Sequence, residues 1–219
     1  MTAKKKPKVI GLKQLTQKTY DLLTDLPEEI RRSFGELVAN FIMIVWGQSG
    51  SGKSNFVYQL LAVLMRYGNV LYISLEEGTE MSAQLLALRH LNMEAHSGKI
   101  LFADHEMTYE EAVDYLKRKK SPKWIVVDSV QYWDINYVRY KQLKAAFPKK
   151  GFIFLSHAKG KGPDGKTADK IRYDAGIKVM VEGGVAFPVS RYGGNKPYIV
   201  HEEKANVRWG KRKVSQFKK

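Results

Sequence analysis

An apolar run at 41–46 (FIMIVW) leads directly into GQSGSGKS at 47–54, and a helical pattern begins where the glycines end. No other stretch limits the fold so tightly. Gly47, Gly52, Lys53 and Ser54 satisfy G-x-x-x-x-G-K-S/T in the setting that gives the spacing meaning, between a buried strand and a helix. Glycines there let the backbone curl until successive N–H groups point inward at a helix N-terminus, where the dipole also favours negative charge. A phosphate chain matches such a cradle. Gly47, Gln48, Ser49, Gly50, Ser51, Gly52, Lys53, Ser54 and Asn55 are therefore the candidate nucleotide-binding residues. Lys53 is placed to reach the β- and γ-phosphates, and Ser54 offers a hard oxygen to Mg²⁺, so ATP and Mg²⁺ are the expected ligands.

Beyond this unit, short apolar runs alternate with amphipathic stretches, the pattern of β-α units whose parallel sheet is covered on both faces. Strands are expected at 41–46, 69–75, 99–103, 124–128 and 151–155, with helices at about 53–67, 79–91, 108–120 and 136–147. Thr108 and Glu111 have the spacing of a capping box. After Arg172 the period changes, and 177–182, 185–190 and 197–202, separated by glycine pairs, read as an antiparallel meander. The fold class is thus α/β, a mainly parallel twisted sheet flanked by helices with a C-terminal antiparallel extension. Residues 1–8 (MTAKKKPK) read as a flexible basic arm, 9–40 as a lead-in packed on the core, and 204–219 as a basic tail.

Three strand ends carry further candidates. WIVVD at 124–128 delivers Asp128 to the metal's water shell, or caps the following turn. The strand at 69–75 ends at Glu76 and Glu77, where Glu76 can orient or deprotonate an attacking water, or both can serve as first-turn acids of the next helix. Strand 151–155 brings His157 to the same edge, as a sensor of the γ-phosphate or as a surface histidine.

Composition narrows the class of partner. The chain has 37 Lys and Arg against 22 Asp and Glu, a net charge of +15, which points to a polyanion such as nucleic acid. With no cysteine there is no disulfide framework, thiolate metal site or thiol nucleophile. No membrane span or secretory leader is legible, so a cytoplasmic or nucleoid-associated protein is expected.

Taken together, the phosphate loop, SLEE at 74–77, IVVDS at 125–129 and LSH at 155–157 resemble, in kind and order, the RecA-like P-loop ATPase core of DnaB-type replicative helicases and RadA-type recombination proteins. The resemblance covers about 41–203. It implies that Glu76 activates water and that His157 stands where the family has a glutamine sensor. VSRYG at 189–193 is similar to the family's late K-x-R-x-G strand: Arg191 and Gly193 match, while Val189 occupies the lysine position. Arg191 would then enter a neighbouring subunit's site in a homo-oligomer. The resemblance also implies that loops after the later strands touch DNA.

Two segments have chemistry suited to such contacts. Segment 158–172 (AKGKGPDGKTADKIR) carries Lys159, Lys161, Lys166, Lys170 and Arg172 among three glycines, and reads as a mobile phosphate-tracking loop. Segment 131–141 (QYWDINYVRYK) interleaves Tyr132, Trp133, Tyr137 and Tyr140 with Arg139 and Lys141, either a platform for unpaired bases or core packing at helical spacing. Single-stranded DNA is favoured over duplex. The expected function is a nucleic-acid-dependent ATPase, a helicase-like motor or a replication or recombination accessory. A small-molecule P-loop kinase and an ATP-controlled nucleic-acid scaffold with little turnover remain open alternatives.

Overall fold

The computed structural model describes residues 9–218, so the basic arm expected at 1–8 lies outside the described residues. The lead-in contains α1 (Leu12–Thr16) and α2 (Glu28–Phe34). The core follows as β1 (Ile42–Gly47), α3 (Lys53–Leu64), β2 (Val70–Ser74), α4 (Met81–His90), α5 (Met93–His96), β3 (Ile100–Ala103), α6 (Tyr109–Leu116), β4 (Trp124–Asp128) and α7 (Tyr137–Ala146). It continues through β5 (Gly151–Lys159), β6 (Gly162–Pro163), α8 (Lys166–Asp174), β7 (Ile177–Glu182), β8 (Val185–Ser190), β9 (Tyr198–Ile199), α9 (Glu202–Trp209) and α10 (Lys211–Phe217).

The sheet runs β3-β2-β4-β5-β1-β7-β8-β9, with β6 paired to β5 outside this path. Strands β3, β2, β4, β5, β1 and β7 are parallel, and β8 and β9 return antiparallel. The central strands are apolar on both faces because helices cover both, as the continuous runs required. Met43 and Val45 of β1 face the α2 and α3 layer with Phe34, Phe56 and Leu60. Their neighbours Ile42, Ile44 and Trp46 face the other layer with Leu116, Leu143 and Ile171 of α6, α7 and α8. This alternation fixes the register, since a slip of one residue would exchange the faces of every side chain.

The Thr108 capping box forms as expected, the Thr108 side chain accepting from the Glu111 N–H at 3.2 Å and Glu111 Oε2 accepting from the Thr108 N–H at 2.9 Å. Three expectations need correction. Segment 158–172 is not a mobile loop: β5 runs on past 155 to Lys159, turns into β6, and α8 follows. Its glycines suggested looseness, but Ala168 and Ile171 sit one turn apart with Ala175 beyond them, and all three are buried under the sheet. The residues from 204 onward are not a tail. Phe187 of β8 meets Trp209 at 5.4 Å and Phe217 at 5.7 Å between ring centres, around buried Val185, Ala205 and Val214. Edge-to-face aromatic pairs contribute about 1 kcal/mol each beyond burial, enough to order two short helices that charge alone would leave in water. The third meander strand, expected at 197–202, shrinks to Tyr198–Ile199, because His201 is already the N-cap of α9.

Candidate active site

In a parallel sheet every strand ends at the same edge, so the residue after each strand can meet the others there. Gly47 of β1 is in register with His157 of β5, and Ser74 of β2 with Asp128 of β4. The Leu75 and Glu76 N–H groups both donate to the Asp128 carbonyl, at 2.6 and 3.1 Å, which carries Glu76 up beside the metal candidate. Gly52 enters α3 at φ +107, a conformation that other residues rarely adopt, and so supplies the inward turn of the loop.

One pocket of about 190 Å³ gathers the predicted groups: Ser49, Gly50, Gly52, Lys53, Ser54, Asn55, Glu76, Asp128 and His157 line it. Glu77, Leu86 and Lys204 complete the lining. Larger clefts between α2 and β9, about 370 Å³, and beside β3, about 700 Å³, hold none of the predicted residues. Gly47, Gln48 and Ser51 support the loop from behind. Lys53 Nζ donates to the carbonyls of Gly47 and Gln48 at 3.0 and 3.2 Å. Gln48 Nε2 donates to Ala158 O at 3.4 Å, and the Ser51 carbonyl accepts from the Gly184 N–H at 3.3 Å.

Burial pushes the Asp128 carboxyl up to about 6, with Glu76 and Glu77 adding to the rise, while Tyr72 and Lys53 oppose it. The Tyr72 hydroxyl donates to Asp128 Oδ2 at 2.6 Å and holds the group in one orientation. Burial also lowers the Lys53 ammonium from its ordinary value, against the pull of Asp128, Glu76 and Glu77. His157 Nε2 lies 3.3 Å from Glu76 Oε2, in ion-pair range but off the line that a hydrogen bond needs. Its backbone N–H donates to Gln131 Oε1 at 3.3 Å, and Gln131 Nε2 donates to Ser156 Oγ and to Asp164 O, at 2.8 and 2.7 Å.

The donor set suits magnesium. Ser54 and Asp128 offer hard oxygens to the pocket, and among the described residues no cluster of three or more His, Cys, Asp or Glu could hold a metal ion by itself. Mg²⁺ binds in just this manner, through one or two protein oxygens, substrate phosphates and water. Ser51 Oγ and His157 Nε2 are buried at the loop and the sheet edge without hydrogen-bond partners.

Arg191 is elsewhere. Ser190 pairs with Ile177, and Ile177 with Met43 at the start of β1, so Arg191 lies at the sheet edge opposite the phosphate loop. Its guanidinium donates to the Tyr173 and Asp174 carbonyls at 3.0 and 3.4 Å. It cannot reach its own pocket. Among the nucleic-acid candidates, Lys141, Lys159, Lys161, Lys166 and Lys170 are exposed. Arg139 is instead engaged by Glu110 and Asp134, and Arg172 by Asp169, at 2.7, 2.5 and 2.8 Å. The aromatic platform is corrected in part: Trp133 and Tyr140 are core residues packed on Tyr109 and Phe154, while Tyr132 is exposed.

Sequence reasoning missed Lys204 and Gln131. No motif marks either, since one is brought in by the fold of α9 and the other by a 3-10 turn over Val130–Tyr132.

No family model matches this chain, and no curated protein sequence matches it significantly. Solved structures do. The flagellar accessory protein FlaH from Methanocaldococcus jannaschii is similar at TM-score 0.56 and 18% identity, over 78% of this chain and 88% of its own. The KaiC-like protein PH0186 from Pyrococcus horikoshii OT3 is similar at TM-score 0.54 and 16% identity, over 74% of this chain and 81% of its own. The fold is RecA-like, an α/β core with its phosphate loop after the first strand of a mainly parallel sheet. The narrower likeness to DnaB-type and RadA-type proteins rests on the sequence motifs.

Proposed function

We propose that this chain binds and hydrolyses ATP with Mg²⁺ and that its turnover is coupled to nucleic acid, single-stranded DNA above all. The supporting observation is the convergence of Lys53, Ser54, Glu76, Asp128 and His157 on one pocket from four neighbouring strand ends. Lys53 exchanges its carbonyl partners for phosphate oxygens, and the amides from Gly50 to Ser54 wrap the rest of the chain. Ser54, and Asp128 at the metal's water shell, would hold Mg²⁺, which would supply positive charge to offset that of the phosphates. Glu76 orients the attacking water and accepts its proton at Oε2, with the His157 ring 3.3 Å away as the candidate sensor of the γ-phosphate.

The nucleic-acid part of the reading is supported by the β5–β6 hairpin. It rises from the pocket edge, carries exposed Lys159 and Lys161, and is tied to the phosphate-loop strand, since Trp46 Nε1 donates to Lys161 O at 3.1 Å. A movement of the loop is thereby transmitted to cations that can track a phosphate backbone. Arg191 belongs to this reading only as a group acting on a neighbouring subunit of a homo-oligomer, because of its place on the far edge.

Phosphate release with and without single-stranded DNA tests the proposal. Stimulated release that is lost in Lys53→Ala is expected. Release unaffected by that substitution would refute the assignment, and release indifferent to DNA would remove the coupling. None of the described helices is long and apolar enough to cross a membrane.

A further inference from the structure

Lys204, in the first turn of α9, lines the phosphate pocket beside Gly50 and Lys53. It arrives there through a backbone joint at one glycine. The Gly184 N–H donates to the phosphate-loop carbonyl of Ser51 at 3.3 Å, and the Gly184 carbonyl accepts from Val200 and His201 at 2.9 and 3.0 Å. A side chain at this position would not fit: φ is +75, and an added Cβ would lie 2.7 Å from His201 O and 3.0 Å from Lys204 Cβ. The close approach therefore depends on Gly184. His201 then accepts from the Lys204 N–H at 3.4 Å as the N-cap, fixing the turn that carries the lysine.

In and beside this helical pair Arg208 is engaged with Glu182 and Lys218 with Glu202, while Lys211, Arg212 and Lys213 lie on α10, away from the lining of the phosphate pocket. Lys204 pairs with no carboxylate among the described residues. The pocket meanwhile presents three carboxyl groups, Glu76, Glu77 and Asp128, to any polyanion that enters, against the single ammonium of Lys53. A second cation at the rim offsets that excess, and its reach is not spent on a protein acid.

Resting on the nucleotide reading above, we propose that Lys204 is a second phosphate-binding lysine of this pocket, supplied by the same chain. The ligand class is a nucleoside polyphosphate. Because the side chain is exposed, its contribution is that of one charge-assisted contact at a wet rim, about tenfold in affinity.

The test is an equilibrium titration of the full chain with a slowly hydrolysed ATP analogue and Mg²⁺, repeated across a wide range of protein concentrations. Lys204→Ala and Lys204→Gln should each weaken binding about tenfold, while Lys204→Arg stays within about threefold of wild type. Lys149→Ala, the loss of an exposed lysine before β5, should change nothing. The loss should be the same at every protein concentration, because the contact forms within one chain, and ligand-free melting temperatures should coincide. Wild-type affinity in Lys204→Ala and Lys204→Gln would overturn the inference, as would a loss that appears only where the protein self-associates. Binding that needs Lys53 but ignores Lys204 would remove this inference alone. A wild-type chain that binds no nucleotide would remove the nucleotide reading with it.

Discussion

In the phosphate pocket Lys53 is sheltered among Asp128, Glu76 and Glu77, and burial holds its ammonium below the ordinary lysine value. Along the β5–β6 hairpin and α8, Lys159, Lys161, Lys166 and Lys170 stand in water. The pocket groups are interlocked: Asp128 takes the Tyr72 hydroxyl on its side chain and two N–H groups on its carbonyl, one of them from Glu76. The four hairpin and α8 lysines make no ion pair among the described residues. Charge in a dry, crowded site acts through position, so each residue there is decisive. Charge on a wet face acts through number, so each residue there is an increment.

Single substitutions should separate the two regimes. The largest effect is expected for Lys53→Ala, with ATP turnover falling at least about a thousandfold in a phosphate-release assay. Next, Glu76→Gln should lower turnover about a hundredfold or more while nucleotide still binds, since it removes a proton acceptor and leaves the cradle. Equal loss of binding and turnover in that variant would give Glu76 a structural role instead.

Asp128 offers a test in the metal-free protein. Its folded pKa of about 6 is above the ordinary 3.8, so between those values the folded state holds more protons than the unfolded one. Stability from this group therefore falls as pH rises from 3.8 to about 6, and the full cost persists above that. Asp128→Asn, which can still accept from Tyr72, should raise metal-free stability at pH 8 by roughly 3 kcal/mol and flatten the pH dependence of denaturant melts. An unchanged profile would show that the carboxyl is not desolvated.

The smallest effect belongs to the wet face. Lys159→Ala combined with Lys161→Ala should weaken single-stranded DNA binding modestly at all sequences, and should reduce the slope of log affinity against log salt by about 1.4. A collapse of binding from this pair would mean that the hairpin behaves like the pocket and is itself a structured site.

The pocket was the more legible of the two regions because local rules make it. Apolar runs ending in Gly47, Glu76, Asp128 and His157 place those residues on one edge once the sheet is parallel, whatever the order of strands. The hairpin and α8 resemble a loop in sequence because Gly160, Gly162 and Gly165 mask the helical spacing of the buried Ala168 and Ile171. Trp133 and Tyr140 could equally have been a stacking platform, since helical spacing of aromatics does not say which face is covered until Tyr109 and Phe154 arrive. Lys204 was illegible for a different reason. Its approach depends on the Gly184 joint, a contact between segments far apart in sequence, and nothing near position 204 records it.

The most direct test of the central claim is to follow backbone amide resonances while ATP and Mg²⁺ are added. Closure of the loop around a polyphosphate predicts saturable shifts that are largest at Gly50, Gly52, Lys53 and Ser54. Resonances in that stretch that stay in place at saturating nucleotide, or shifts confined to other parts of the chain, would contradict it.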